Sequence, residues 1–141
     1  MSVTGLDTFD KTLNASNEWL NDLMELLVWR DKHKTYHALS VVLHALRDRL
    51  TLAEVAALGA QMPLLIRGLY YEGWQPNDKP LRERKKSEFL AHVSAAFPND
   101  PEVDPEVVAW SVFQLLLKHV SGGVIKNVQA VLPIELRRLW L

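Results

Sequence analysis

The stretch "LLIRGLYYEGW", Leu64 to Trp74, sets two tyrosines between two glycines, with a tryptophan directly after the second, near the middle of a 141-residue chain. Its meaning depends on a second stretch, "IELRRLWL" at Ile134 to Leu141, which like the first follows a proline. Sliding the chain by 70 residues without a gap lays one on the other: Ala60, Pro63, Arg67 and Leu69 fall on Ala130, Pro133, Arg137 and Leu139, and Tyr70 falls on Trp140. The same offset carries Glu18, Trp19, Leu20, Leu23 and Leu27 onto Glu88, Phe89, Leu90, Val93 and Phe97. Self-similarity at one fixed offset is the mark of an internal repeat. Amphipathic helices match in part by chance, but paired prolines at one junction, followed by the same Arg and Leu, argue against coincidence.

Helical spacing dominates each unit. Trp19, Leu20, Leu23, Leu26 and Leu27 share one face of a first helix, with Ser16 or Asn17 as its expected N-cap. Leu39, Val42, Leu43, Leu46 and Leu50 share the face of a second. Thr51 and Glu54 have capping-box spacing and open a third. Pro63 lacks a backbone N–H, so it ends that helix and opens a fourth. In the second unit Asp104, Pro105 and Glu106 are helix-start signals, while "SGGV" at Ser121 to Val124 keeps the cap hydroxyl and loses its acidic partner. Between the units, "EGWQPNDKP" is a run of turn residues. The expected fold is all-α: one helical bundle domain over residues 1–141, built from two tandem four-helix repeats, 16–71 and 86–141, about a pseudo-twofold axis and joined by a linker at 72–85.

Composition narrows the function. Sixteen basic residues against 17 acidic ones leave a formal charge of -1, so no global field draws the chain to nucleic acid or an anionic membrane. The absence of cysteine excludes disulfides, thiolate metal sites and cysteine nucleophiles. The first residues lack the pattern of a secretory signal, and apolar runs fall far short of the roughly 20 residues of a membrane span, so a soluble protein is expected, with cytoplasm as the default location.

The phrases "ALRDRLTLAEVAALGAQMP" and "LLIRGLYYEGW", then "HVSGG" and "VLPIELRRLW", resemble the prokaryotic family catalogued as domain of unknown function family 2267. The resemblance covers nearly the whole chain from about Asn17. It implies an all-helical fold with no accepted activity and no catalytic residues to carry over. Val124 departs from the usual S-G-G-E cap.

Three constellations could carry chemistry. His33, His37 and His44 lie within about 40° of one another on the second helix, with Asp48 at the edge of the stripe. Histidines at i, i+4 with a carboxylate can ligate a divalent metal, although the same stripe reads more simply as a solvated face. The segment "KPLRERKK" holds Lys79, Arg82, Arg84, Lys85 and Lys86, a candidate patch for nucleic acid or another anion. Its plainer reading is an exposed linker and first helical turn, yet positive charge at a helix N-terminus is mildly unfavourable, which hints at another use. Tyr71 and Trp74 have no counterparts in the second unit and are the interface candidates.

No G-x-S-x-G, H-E-x-x-H or G-x-x-x-x-G-K motif is present. No catalytic residue and no cofactor is assigned. The leading expectation is a non-catalytic helical interaction or scaffold module, self-associating or bound to a protein partner. Anion binding through residues 79–86 and metal binding on the histidine stripe are the alternatives.

Overall fold

The computed structural model describes residues 2–141, and among them there are helices and turns but no strand. The α-helices are α1 (Asp7–Leu27), α2 (Lys32–Arg47), α3 (Leu52–Ala60), α4 (Leu64–Tyr71), α5 (Lys86–Ala95), α6 (Pro105–His119), α7 (Gly122–Val131) and α8 (Ile134–Arg137), with a closing 3-10 turn at Arg138–Trp140. Among the described residues, no helix is long and apolar enough to cross a membrane.

The first helix starts nine residues before the Ser16 expected from sequence. Ser16 is buried within α1, and the true start is stabilised by Asp10, which accepts from the Thr4 backbone N–H at 3.0 Å and from the hydroxyls of Thr4 and Ser2. Ser16 and Asn17 read as caps because the apolar spacing before them is sparse. At its other end α1 closes on Val28 in the left-handed region, with φ 57°, and Trp29 N–H donates to Met24 O at 3.1 Å. That is the Schellman pattern, here without the usual glycine.

The caps differ from expectation at one further place. The Thr51 hydroxyl donates to the Glu54 carboxylate and leaves the backbone N–H groups of α3 without a side-chain cap. A carboxylate competes successfully for a hydroxyl when both lie at the same helix start. Ser121 keeps its cap, accepting from Val124 N–H at 3.4 Å, and Asp104 accepts from Glu106 and Val107. Pro63 and Pro133 stand at the N-cap positions of α4 and α8, as the junction reading requires.

The core runs through the middle of the molecule. Helices α2 and α6 pack on each other; α1 lies on α2 and α6, α5 on α6 and α2, and α3 on α7. Trp19, Leu23, Leu39, Val42, Leu43, Leu46, Phe89, Val93, Val112, Phe113 and Leu116 fill the interior, each with no more than 3% of its surface exposed. Burying each such side chain contributes about 1.5–3 kcal/mol. Trp140 stacks on Phe113 with centroids 4.3 Å apart and planes at 3°.

Polar side chains tie the helix ends together. Arg47 donates from Nη1 to the carbonyls of Tyr70 at 2.8 Å and Glu72 at 2.9 Å, and Arg67 donates to Gly59 O and Met62 O, both at 2.9 Å. Cationic donors suit the negative ends of α4 and α3. Buried Tyr70 donates its hydroxyl to Val55 O at 2.9 Å, and burial pushes its pKa upward.

Candidate functional site

The linker lies against the end of α2, anchored by Leu81 N–H donating to Asp48 O at 2.7 Å. Beneath it is a cleft of about 650 Å³. Its floor includes Arg49, whose side chain is 1% exposed and whose guanidinium sits 5.2 Å from the centroid of the Phe89 ring. Arg49 donates from Nη1 to Ala45 O at 2.8 Å and from Nη2 to Glu83 Oε1, while Nε has no partner. Burial lowers the Arg49 pKa, opposed chiefly by the charge of Glu83. The same Glu83 oxygen lies 3.1 Å from His92 Nε2, so one linker carboxylate serves basic groups on two helical segments.

The basic segment divides. Lys79, Arg82 and Arg84 line this cleft with Arg49, against the carboxylates of Asp78 and Glu83. Lys85 is the exposed N-cap residue of α5, whose backbone N–H donates to Glu88 at 3.1 Å. Lys86 belongs to a neighbouring cleft of about 390 Å³ beside Trp110, paired with Glu106. The positive charge at the start of α5 is therefore balanced by nearby acids.

The histidine stripe divides as well. His37 Nε2 lies 3.0 Å from Ala96 O, and His44 Nε2 lies 2.7 Å from Leu69 O, so the two rings are turned to different neighbours. His33 is exposed and lies face to face with Tyr36, centroids 6.5 Å apart, while Asp48 pairs with Arg47 at 3.0 Å. Among the described residues, no three His, Asp or Glu side chains converge as a metal would require.

Tyr71 and Trp74 are half-buried against the core, with ring centroids 5.8 Å apart. Tyr71 covers Gly59, where a Cβ would lie 2.6 Å from the tyrosine oxygen. Gly73 takes the left-handed conformation just after α4, with φ 72°, a common glycine position at a helix end. The Trp74 indole nitrogen is buried without a partner.

One polar cluster has no sequence signal. Asp22 on α1 meets His119 Nε2 at 2.7 Å and Lys118 Nζ at 2.9 Å on α6, and the His119 ring stacks on Trp19 at 4.9 Å. Burial acts to raise the Asp22 pKa, but the hydrogen bonds from Lys118 and His119 outweigh it and hold the carboxyl below its ordinary value. The partners are 97 positions apart in the chain, beyond any local pattern. The Arg49–Glu83 contact, 34 positions apart, was equally out of reach, although "LRDRL" does mark Arg49 as a charged residue at a helix end.

The family model described as "Uncharacterized conserved protein (DUF2267)" matches residues 16–139. No curated protein matches the chain.

Proposed function

The chain belongs to the DUF2267 family, and from that premise we propose that it is a non-catalytic helical interaction module, one domain made of two related four-helix halves, which associates with a second copy of itself. The halves are residues 16–71 and 86–141, with the linker 72–85 between them. The starts of α3 and α7 are 70 positions apart, as are those of α4 and α8. Packing is reciprocal under that offset: α1 lies on α6 as α5 lies on α2, and α3 meets α7. Gln114 corresponds to His44, and each reaches a carbonyl at the end of its closing helix, Gln114 donating to Trp140 O at 2.8 Å.

The observation that carries self-association is the set of large apolar side chains exposed on the α3–α4 and α7–α8 hairpins. Leu52, Leu64, Leu65 and Ile134 are each half-exposed or more, and Leu64 and Ile134 occupy corresponding positions with 51% exposure apiece. Exposed apolar surface of this kind, when contiguous, marks contact sites. Matching apolar points on two related halves suit an isologous contact, in which the same patch is used by both copies.

Light scattering over a concentration series tests the reading. A concentration-dependent dimer is expected, abolished in the double variant Leu64→Glu, Ile134→Glu with helicity unchanged. A strict monomer at the highest concentration, together with no protein partner in pull-downs, defeats it.

A further inference from the structure

We propose that the cleft beneath the linker is a phosphate-binding site, with Arg49 at its floor, Lys79, Arg82 and Arg84 in its walls, and Glu83 as an internal carboxylate that the ligand displaces. The Nε and Nη2 groups of an arginine lie side by side on one edge of the guanidinium and together receive two oxygens of one anion. Glu83 takes Nη2 alone, and Nε is left buried and unpartnered in a side chain that is 1% exposed. The half-filled fork belongs to a residue that lines a cleft of about 650 Å³, which is within the size range of small-molecule sites.

Charge and valence select the ligand. Four cations against the two carboxylates of Asp78 and Glu83 leave the lining at +2, in a chain whose formal charge is -1. A carboxylate has two oxygens and a single negative charge, with no further oxygen to turn toward the walls once both face the fork. A phosphate dianion can fill both prongs and still present oxygens to Lys79, Arg82 and Arg84. Free phosphate and a phosphomonoester share this chemistry. A nucleic-acid duplex does not fit it equally, because Arg49 is only 3% exposed and is reached by a group that projects into the cleft rather than by a broad backbone. The site does not depend on self-association.

Calorimetric titration of the full chain with inorganic phosphate and with O-phosphoserine, at pH 8 and constant ionic strength held with sodium chloride, tests the assignment. Saturable binding is expected, at least about fivefold tighter in Glu83→Gln and at least about fivefold weaker in the double variant Arg82→Ser, Arg84→Ser, since charge-assisted contacts are gained or lost. A preference for O-phosphoserine over phosphate identifies a phosphomonoester as the physiological source, and the reverse identifies the free anion. Arg49→Gln abolishes binding if it folds; circular dichroism establishes that the other variants are folded. The proposal is overturned if phosphate does no more than chloride, or if Glu83→Gln binds no tighter than the parent. Duplex DNA bound at low salt through Arg82 and Arg84, with phosphate failing to compete, overturns it in favour of an open nucleic-acid patch.

Discussion

Two of the seams between the α1–α4 and α5–α8 segments, α1–α6 and α5–α2, differ in their polar chemistry. At the α1–α6 seam, Asp22 on one helix meets His119 at the end of the other, and the His119 ring stacks on Trp19. On the proposed 70-residue correspondence, the α5–α2 seam places His92 where Asp22 stands, Arg49 where His119 stands and Phe89 where Trp19 stands. The aromatic contact persists, with Arg49 over Phe89, but both polar partners are now basic. The missing carboxylate comes from the linker, as Glu83, which reaches both Arg49 and His92. A counter-ion carried on a helix is fixed by the packing of that helix, whereas one carried on a linker can be exchanged for another anion. The clefts at the two seams differ accordingly: the one at α1–α6 is lined by Asp22, Glu25 and Lys118, the one under the linker by Arg49, Lys79, Arg82 and Arg84.

The largest effect that distinguishes the seams is expected from Arg49→Met, which keeps much of the apolar stem but removes the buried charge and its bond to Ala45. It should lower stability by about 3 kcal/mol, since two hydrogen bonds from a charged, buried guanidinium are lost, against about 1–2 kcal/mol for His119→Leu at the corresponding place. Urea unfolding of both variants measures the contrast, and equal losses would mean that the two seams are held alike.

Gly59 offers a second contrast, between α3 and α7. In an ordinary helix interior alanine gains about 1 kcal/mol over glycine, and the corresponding residue in α7 is Gln129. At Gly59 the added Cβ would lie 2.6 Å from the Tyr71 oxygen and 2.8 Å from its ring. Gly59→Ala should therefore destabilise by about 1–2 kcal/mol through overpacking, with partial recovery on adding Tyr71→Leu. A stabilised Gly59→Ala in thermal unfolding would show that Tyr71 moves aside at little cost.

Asp22→Asn sharpens the comparison through pH. The Asp22 carboxyl is held below its ordinary value of 3.8, so its stabilisation is complete above that value and is lost as pH falls through the lowered folded one. The variant should be less stable by about 1 kcal/mol at pH 7, with the gap closing in acid below the ordinary carboxylate range. A difference that persists undiminished into strong acid would exclude the ion pair as its cause.

The turn after α1 gives the smallest expected effect, and one of opposite sign. Val28 holds φ 57° while 87% exposed, whereas the turn after α5 places Asn99, a residue that tolerates this region, at φ 64°. Val28→Gly should raise stability by up to about 1 kcal/mol, and Asn99→Gly by less. Thermal melts of the pair would separate them.

How far the sequence reached follows from the range of each interaction. The apolar faces, the two proline junctions and the Asp104 and Ser121 caps were legible because each depends on residues within a few positions of one another. The start of α1 was misplaced because Ser16 is a buried polar residue within a helix, and a lone serine before an apolar run is indistinguishable from a cap. The Thr51 box failed because its two side chains bonded to each other. The histidine stripe lies along α2, from His33 to His44. Its fate was set by the carbonyls of Ala96 and Leu69, which only the packing of α5 and α4 brings near. Of the candidate cleft, the sequence supplied Lys79, Arg82 and Arg84 but neither the buried Arg49 beneath them nor the Glu83 contact that fills half of its fork.

Native-state hydrogen exchange on the central helices α2 and α6 is the most direct test of two halves interlocked into one domain. Because α1 lies on α6 and α5 on α2, opening either the α1–α4 or the α5–α8 segment removes packing from the other. The slowest amides of α2 and α6 should exchange with the same opening free energy, equal to that of global unfolding. If the α5–α8 segment exchanges as a separate unit several kcal/mol below α2, the halves are independent and the interlocked domain is wrong.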